Sequence, residues 1–395
     1  MRVLYDSYSF DREKIGGVTR YFTELIKHLP NMVDPILGVR CSYNHYLHNE
    51  PLGIPSASYT FEDFLPRFNF RGKYRLYRFC SKNFTSLFPG QEAVNERYFL
   101  SLLRRGDYDI VHLTGCWDGW DLFAERKPFV VTMHDLIPEI TQNSKESYRW
   151  RRKVLNAATR VIAISENTKR DILERFDCDA SKIDVVYHGV TLSPKSCPVE
   201  ELLGTRYVLY VGKRNAYKNF ERFVMALGLL RTTTEEFLLV CTGSEFTSTE
   251  KIVLQKNGFG RMSMCRKFSD EELRWLYENA QCFVYPSLYE GFGLPILDAF
   301  EAGCPVVLSR ASCFPEIAGD AALYFDPHDY RDIAKKLSLL FDSGEKGRKL
   351  RMLLREAGRN RAREFSWAKC ARETVDVYKK AIDEFSTTHG SGIKR

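Results

Sequence analysis

The richest chemistry in this chain is concentrated in YPSLYEGFGLPILDAFEAG, residues 285–303. Gly291 and Gly293 stand just ahead of Leu294 and Pro295, and Gly303 closes the stretch. Proline suits a helix's first turn, where its missing N–H has no partner to lose, and glycine suits the exit. The spacing therefore predicts a helix between Pro295 and Gly303. The backbone N–H groups of Gly291, Phe292, Gly293 and Leu294 would then lie at its N-terminus, with two glycines allowing close approach. That is an anion site, and a diphosphate fits it. Glu290 and Asp298 flank it, and carboxylates accept well from sugar cis-diols. The competing reading makes the two acids simple partners of the helix dipole, worth a few tenths to about 1 kcal/mol each.

A second loop, VGKRNAYKNF, follows an apolar run and gathers Lys213, Arg214 and Lys218. Such cations would neutralise charge developing on a departing diphosphate. Lys218 is the first candidate and Arg214 the second; surface solvation is the alternative for any one of them. Farther upstream, FVVTMHDLIPE sets His134 and Asp135 directly after a strand-like run. A histidine there is either a functional group or a structural hydrogen-bonder oriented by its neighbouring acid. The turn at Gly16 and Gly17 offers backbone amides to phosphates from another side. Two D-x-D patterns, Asp107 with Asp109 and Asp177 with Asp179, raise the question of a metal. Both fall in turns, and so short a pattern recurs by chance, so activity without a metal ion is the expectation.

These groups need rigid elements to hold them. RVLYD, YDIVHL, FVVTM, RVIAI and DVVYH are compact β-rich runs alternating with helical periodicity, as in Val18, Tyr21, Phe22, Leu25, Ile26 and Leu29. That alternation predicts a parallel sheet covered by helices. After a change of composition at Leu192–Pro198 a second series begins: RYVLYV, FLLVC, QCFVY and CPVVL, so the layout occurs twice. Ser269 with Glu272 forms a capping box at a helix start. In open parallel sheets ligands sit beyond the carboxyl ends of the strands, which is where the loops above fall.

The 395 residues, 44% hydrophobic and 28% charged, suffice for two such domains. Eleven cysteines without a C-x-x-C pair read as thiols in a reducing compartment. No run of eighteen apolar residues occurs, and MRVLYD does not read as a signal peptide, so a cytoplasmic location is expected. The net charge of +7 is modest but uneven. Between Phe64 and Gln91 six basic residues, Arg67, Arg71, Lys73, Arg75, Arg78 and Lys82, interleave with aromatic residues and no acid. That segment either meets an anionic membrane surface or is a solvated helix packing its aromatics inward. Nucleic acid is disfavoured because no recognition motif accompanies the charge.

The combination of GGVTRYFTEL, the HD pair, AISENTKRDI, VVYHGV, VGKRNAYKN, FSDEELRWLYENAQCFVYPSLYEGFGLPILDAFEAGCPVV and FSWAKCA resembles glycosyltransferase family 4 along nearly the whole chain. The resemblance implies an α/β protein with two Rossmann-like domains facing across a cleft, the GT-B architecture. An acceptor-side domain would span 1–195 and a nucleotide-sugar domain 196–365. A helix over 366–386, including Trp367, would cross back to the first domain, with a flexible tail at 387–395. By the same resemblance Glu290 approaches the transferred sugar and Gly293 and Leu294 hold the diphosphate. Lys213 or Arg214 acts with Lys218 on its oxygens, and His134 sits near the donor sugar and β-phosphate. Thr242, Gly243 and the stretch ahead of Phe268 would receive the base. Asp298 stands where relatives usually carry a second glutamate, and its reach to a ribose is shorter. The family implies front-face attack with retention, and no cofactor beyond the nucleotide diphosphate sugar as donor substrate. HDLIPE with the VGKRNAYKN loop is most similar to bacterial polysaccharide and lipopolysaccharide enzymes, which points to GDP-mannose and a glycan or lipid-linked acceptor. An epimerase or phosphorylase on the same scaffold, and a catalytically silent membrane-bound scaffold, are the alternatives. A nicotinamide oxidoreductase is disfavoured because no G-x-G-x-x-G follows an early strand.

Overall fold

The computed structural model describes residues 1–48, 52–56, 64–65, 67–84, 87–88, 90–117, 119–142 and 144–390; the side chain of Lys82 lies outside this set. The chain divides into two compact units. The first holds Met1–Ile164, Thr168–Val186 and the stretch from Trp367 onward; the second holds Ser165–Asn167 and Tyr187–Ser366. The changeover at Val186 precedes the compositional shift at Leu192–Pro198, which belongs to the second unit.

In unit 1, β1 (Arg2–Tyr5), β2 (Asp34–Leu37), β3 (Ile110–Leu113), β4 (Phe129–Met133), β5 (Arg160–Ala163) and β6 (Ile183–Val185) form one parallel sheet. Its order is β2-β1-β3-β4-β5-β6. In β3, β4 and β5 every residue is buried, which is why they read as continuous apolar runs rather than alternating ones. The edge strand β2 contains Pro35, which a central strand would not accept. Unit 2 is built from β7 (Tyr207–Tyr210), β8 (Leu238–Thr242), β9 (Ser263–Arg266), β10 (Cys282–Tyr285), β11 (Val306–Ser309) and β12 (Ala322–Phe325), ordered β12-β11-β10-β7-β8-β9 and again parallel. The two sheets are both Rossmann-like but not copies. Unit 2 has the 3-2-1-4-5-6 dinucleotide-fold order, whereas unit 1 carries one strand outside its first, the flavodoxin arrangement. In each the winding reverses beside the first strand, between β1 and β3 and between β7 and β10.

The predicted capping box is present: Ser269 Oγ accepts from Glu272 N at 3.1 Å and Glu272 accepts from Ser269 N at 2.8 Å. A second one, Thr247 with Glu250, opens the helix Ser248–Lys256. The last helix, Trp367–Gly390, continues past the expected end at 386, and 391–395 lie outside the described residues. It docks on the first sheet through a buried polar chain. Tyr378 Oη lies 2.9 Å from Tyr5 Oη and 2.6 Å from His112 Nδ1, and His112 Nε2 lies 2.8 Å from Thr132 Oγ1. Arg160 pairs with Glu384 at its far end, and Lys380 with Asp184.

The basic segment forms the helix Lys73–Asn83 preceded by irregular chain. Most of its aromatics do not pack inward as the competing reading required. Phe64 and Tyr77 are buried, but Phe68, Phe70, Tyr74, Leu76 and Phe79 are exposed, Phe68 by 62%. No helix among the described residues is long and apolar enough to cross a membrane.

Candidate active site

In unit 2 the two loops singled out in the sequence leave adjacent strands at the winding reversal. The loop after β7 carries Lys218 in a short 3-10 turn ending at Asn219, whose φ of 57° is left-handed. The loop after β10 carries Glu290. Lys218 Nζ donates to Glu290 Oε1 at 2.6 Å and to Tyr285 Oη at 3.1 Å. Both side chains are about nine-tenths buried, at 11% and 9% exposure. An ammonium has three N–H donors; two are used here. The loops are tied to one another by Leu288 N donating to Tyr217 O at 2.8 Å and by Asn219 Nδ2 donating to Pro286 O at 3.1 Å. Burial, followed by the charge of Glu290, raises the Tyr285 phenol well above its ordinary value, so it stays protonated.

Gly293 is the N-cap of the helix Leu294–Glu301, at φ 94°, with Pro295 in the first turn. The left-handed backbone requires glycine, and a Cβ there would crowd Ile296 Cδ1 at 2.9 Å and Phe314 Cε1 at 3.2 Å. Supports hold the turn from behind: Ser312 Oγ accepts from Glu290 N at 3.0 Å, and Ser165 Oγ donates to Gly291 O at 2.7 Å. Cys313 Sγ lies 3.3 Å from Glu290 O and 3.2 Å from Phe292 O. The Phe292 ring is buried against His188, 4.3 Å between centroids, and Asp298 is buried one turn into the helix, accepting from Thr191 N at 3.3 Å.

The remaining unit 2 candidates separate into two kinds. Arg214 is turned to structural work: Nε pairs with Glu250 at 2.7 Å, Nη2 donates to Ser244 O and Glu245 O, and Nη1 reaches Cys265 Sγ. Its side chain is only 6% exposed, packed over Phe246. Lys213, next to it, is exposed. Thr242 Oγ1 accepts from Gly212 N at 3.3 Å, and Gly243, at φ 115°, donates to Arg266 O. Phe268 lies under the Arg266 guanidinium, 4.0 Å from its ring centroid.

In unit 1 a cavity of about 630 Å³ lies at the carboxyl ends of the strands around the winding reversal. It is lined by residues following β1 (Tyr8, Ser9, Arg12), β3 (Thr114, Gly115, Cys116) and β4 (His134, Asp135). His134 stands edge-on to Tyr21, 5.0 Å between ring centroids. Burial and then the Arg151 charge lower its pKa to about 3, leaving a neutral imidazole. Arg151 faces Glu139 at 3.2 Å and Asp135 at 3.8 Å, a counter-charge set that the sequence analysis did not single out. Gly16 is the N-cap of the helix Gly17–Lys27, extended at φ −162°. A Cβ on Gly17 would have nothing within 4 Å, so nothing in the described chain demands its glycine. Burial pushes Asp6 and Asp11, behind this wall, up to about 7 each.

Among the described residues no group of three or more His, Cys, Asp or Glu is arranged to hold a metal ion. Both D-x-D patterns have structural contacts: Asp109 accepts from Arg2 N, and Asp179 caps a 3-10 turn through Ser181 N.

Family models match nearly the whole chain in two pieces, Glycosyltransferase Family 4 over residues 15–193 and Glycosyl transferases group 1 over 198–361. O-antigen chain mannosyltransferase B of Escherichia coli is 31% identical over 271 residues, 63% of this chain and 70% of that one. An MMP alpha-(1->4)-mannosyltransferase of Mycolicibacterium hassiacum is 31% identical over 302 residues, covering 71% and 72%. Among solved structures, Anabaena HepE in complex with UDP and glucose matches with a TM-score of 0.71 at 16% identity, covering 96% of this chain and all of that one. Sucrose-phosphate synthase of Thermosynechococcus elongatus matches at 0.66 and 19% identity, covering 96% and 98%. The fold is thus that of glycosyltransferases, and these two sequence relatives are mannosyltransferases. The chain belongs to glycosyltransferase family 4 and is a hexosyltransferase.

Proposed function

We propose that the protein transfers mannose, with retention, from GDP-mannose to a glycan or lipid-linked acceptor in bacterial surface polysaccharide synthesis. The observation that carries this reading is the buried Lys218–Glu290 pair beside the glycine-led helix N-terminus at the winding reversal of unit 2. The choice of mannose is supported by the names of the sequence relatives. The donor diphosphate lies on the amides of Gly293 and Leu294, with Gly291 and Phe292 shaping the turn. Lys218 gives its third N–H to the leaving phosphate, and exposed Lys213 adds charge. Glu290 accepts from hydroxyls of the transferred sugar, the region of Thr242, Gly243 and Phe268 receives the base, and Asp298 serves the ribose. Neutral His134 and the Gly16–Gly17 turn attend the sugar and phosphates from the acceptor-side unit. As the sugar C1–O bond to phosphate breaks, the acceptor oxygen bonds C1 on the same face. Its proton passes to the departing phosphate oxygen, so positioning and charge stabilisation carry the step without a strong protein base or a metal.

Lys218→Ala tests this directly. Turnover falls by about 10²–10³-fold, as loss of one preorganised charge on a developing anion implies, while donor consumption in excess chelator is unchanged in the wild type. Full turnover in the variant, or an inverted anomeric configuration in the product by NMR, would sink the mechanism.

The protein works at the inner, cytoplasmic face of the membrane through Arg67, Arg71, Lys73, Arg75, Arg78 and Lys82. Support comes from the exposed Phe68, Phe79 and neighbouring aromatics between these cations. Each cation near an anionic surface contributes about 1 kcal/mol. Sedimentation with phosphatidylglycerol vesicles, lost on replacing Arg71 and Arg75 by glutamate, checks it.

A further inference from the structure

The unit 1 cavity holds three arginines with different surroundings. Arg151 is compensated by Asp135 and Glu139, and Arg78 pairs with Glu92 at 3.2 Å. Arg12 has no ion-pair partner among the described residues, yet its guanidinium carbon sits over the Tyr8 ring, 3.7 Å from the centroid. Stacking of this kind fixes the plane of the donor fork and leaves its edge N–H groups to a ligand. Asp6, which feels the Arg12 charge, is buried behind the wall, and burial keeps it partly protonated near neutrality. Of the acids lining the cavity, Asp135 faces Arg151 and Glu146 is exposed at the rim. Trp150 also borders the cavity with about a third of its surface exposed, an aromatic ring of the sort on which sugars lie, with the Lys153 ammonium over it at 5.4 Å from the centroid. The volume, about 630 Å³, falls in the usual range for small-molecule sites.

From this geometry we infer that the unit 1 cavity recognises an acceptor carrying a phosphoryl group next to its sugar, with Arg12 as the residue that reads the phosphate and Trp150 as the platform under the sugar. The inference rests on the transferase reading and narrows its acceptor: planar, paired N–H groups match phosphate oxygens two at a time, which a neutral glycan does not repay. Arg12 is a specificity-determining residue, with no part in the bond exchange itself.

The experiment compares two probes by isothermal titration calorimetry on the full chain: a short-chain prenyl diphosphate disaccharide and the octyl glycoside of the same disaccharide. The wild type binds the phosphorylated probe at least tenfold more tightly. Arg12→Ala abolishes that preference while leaving the octyl glycoside's affinity unchanged, and Arg12→Lys restores little of it, because a lysine offers a point charge and no fork. A preference that survives Arg12→Ala, or none in the wild type, overturns the inference. So does an equal loss of affinity for GDP in Arg12→Ala, which would assign this cation to the donor. Thermal stabilisation by GDP-mannose in the same variant keeps the two questions apart: if it persists, the transferase reading stands whatever the probes show. A long-chain prenyl diphosphate probe presented in vesicles, set beside the short-chain one, separates recognition of the phosphate from partitioning of the lipid.

Discussion

The winding reversals of the two sheets are the same topological place, yet the chain furnishes them in opposite ways. Beside β7 and β10 it sets a buried cation against a carboxylate, ties the two loops together, and spends a glycine at φ 94° to bring amides forward. Beside β1 and β3 it leaves a cavity bounded by a neutral histidine and backed by carboxylic acids held near neutrality by burial. A fixed, charged, closely packed site suits a ligand of constant chemistry such as a diphosphate. Open space with hydrogen-bonding walls suits one whose shape varies. A parallel sheet therefore prescribes where ligands bind, and the loops decide what kind.

The contrast can be broken at several points. The largest expected effect lies in unit 2, where two adjacent cations differ in kind. Arg214→Ala strands Glu250 and two carbonyls and lowers stability by about 3 kcal/mol, read as a denaturant midpoint shift, whereas Lys213→Ala leaves stability within about 0.5 kcal/mol and raises the donor KM. A reversed pattern would remove the structural assignment of Arg214.

Unit 1 should show its buried titrating groups in its pH dependence. For Asp6 and Asp11 the folded pKa is raised from 3.8 to about 7. Their contribution is fully present below pH 3.8 and is lost as pH rises toward 7. For His112 and His134 the folded value is lowered from 6.5 to about 3. Their penalty begins as pH falls below 6.5. Between pH 4 and 6.5 the two pairs oppose each other and nearly cancel. Asp6→Asn removes one acid from that balance, so stability in this window climbs with pH by about 1.4 kcal/mol per unit relative to wild type. Parallel denaturation profiles of the two proteins would refute it.

The smallest expected change is at Gly17, where a methyl group meets nothing within 4 Å. Gly17→Ala keeps stability within about 0.5 kcal/mol but weakens donor affinity several-fold, since only a ligand needs the space. Unchanged affinity by calorimetry would mean that the turn does not meet the donor.

Local signals carried much of this architecture. Continuous apolar runs announced the central strands because both faces of a parallel sheet are covered, and Gly293, Pro295 and Gly303 marked their helix because backbone geometry is written in residue type. The Ser269–Glu272 box was equally legible, being complete within four residues. The edge strands β2 and β9, half-exposed, lacked that signature and came only from pairing with neighbours. Charge type was visible in Lys213, Arg214 and Lys218, but the division of labour among them was not. A guanidinium's partners, Glu250, Ser244 and Cys265, come from 30 to 51 residues away. The same holds for the aromatic segment of 64–91, whose interleaved pattern fitted an inward or an outward face until packing settled it. The sequence by itself determined elements, caps and the chemical inventory, because those depend on neighbours within a turn or two. Tertiary structure alone decided which cation met Glu290, which histidines lost their charge and which arginine came to rest on the Tyr8 ring. Those outcomes depend on burial and on groups brought together from distant parts of the chain.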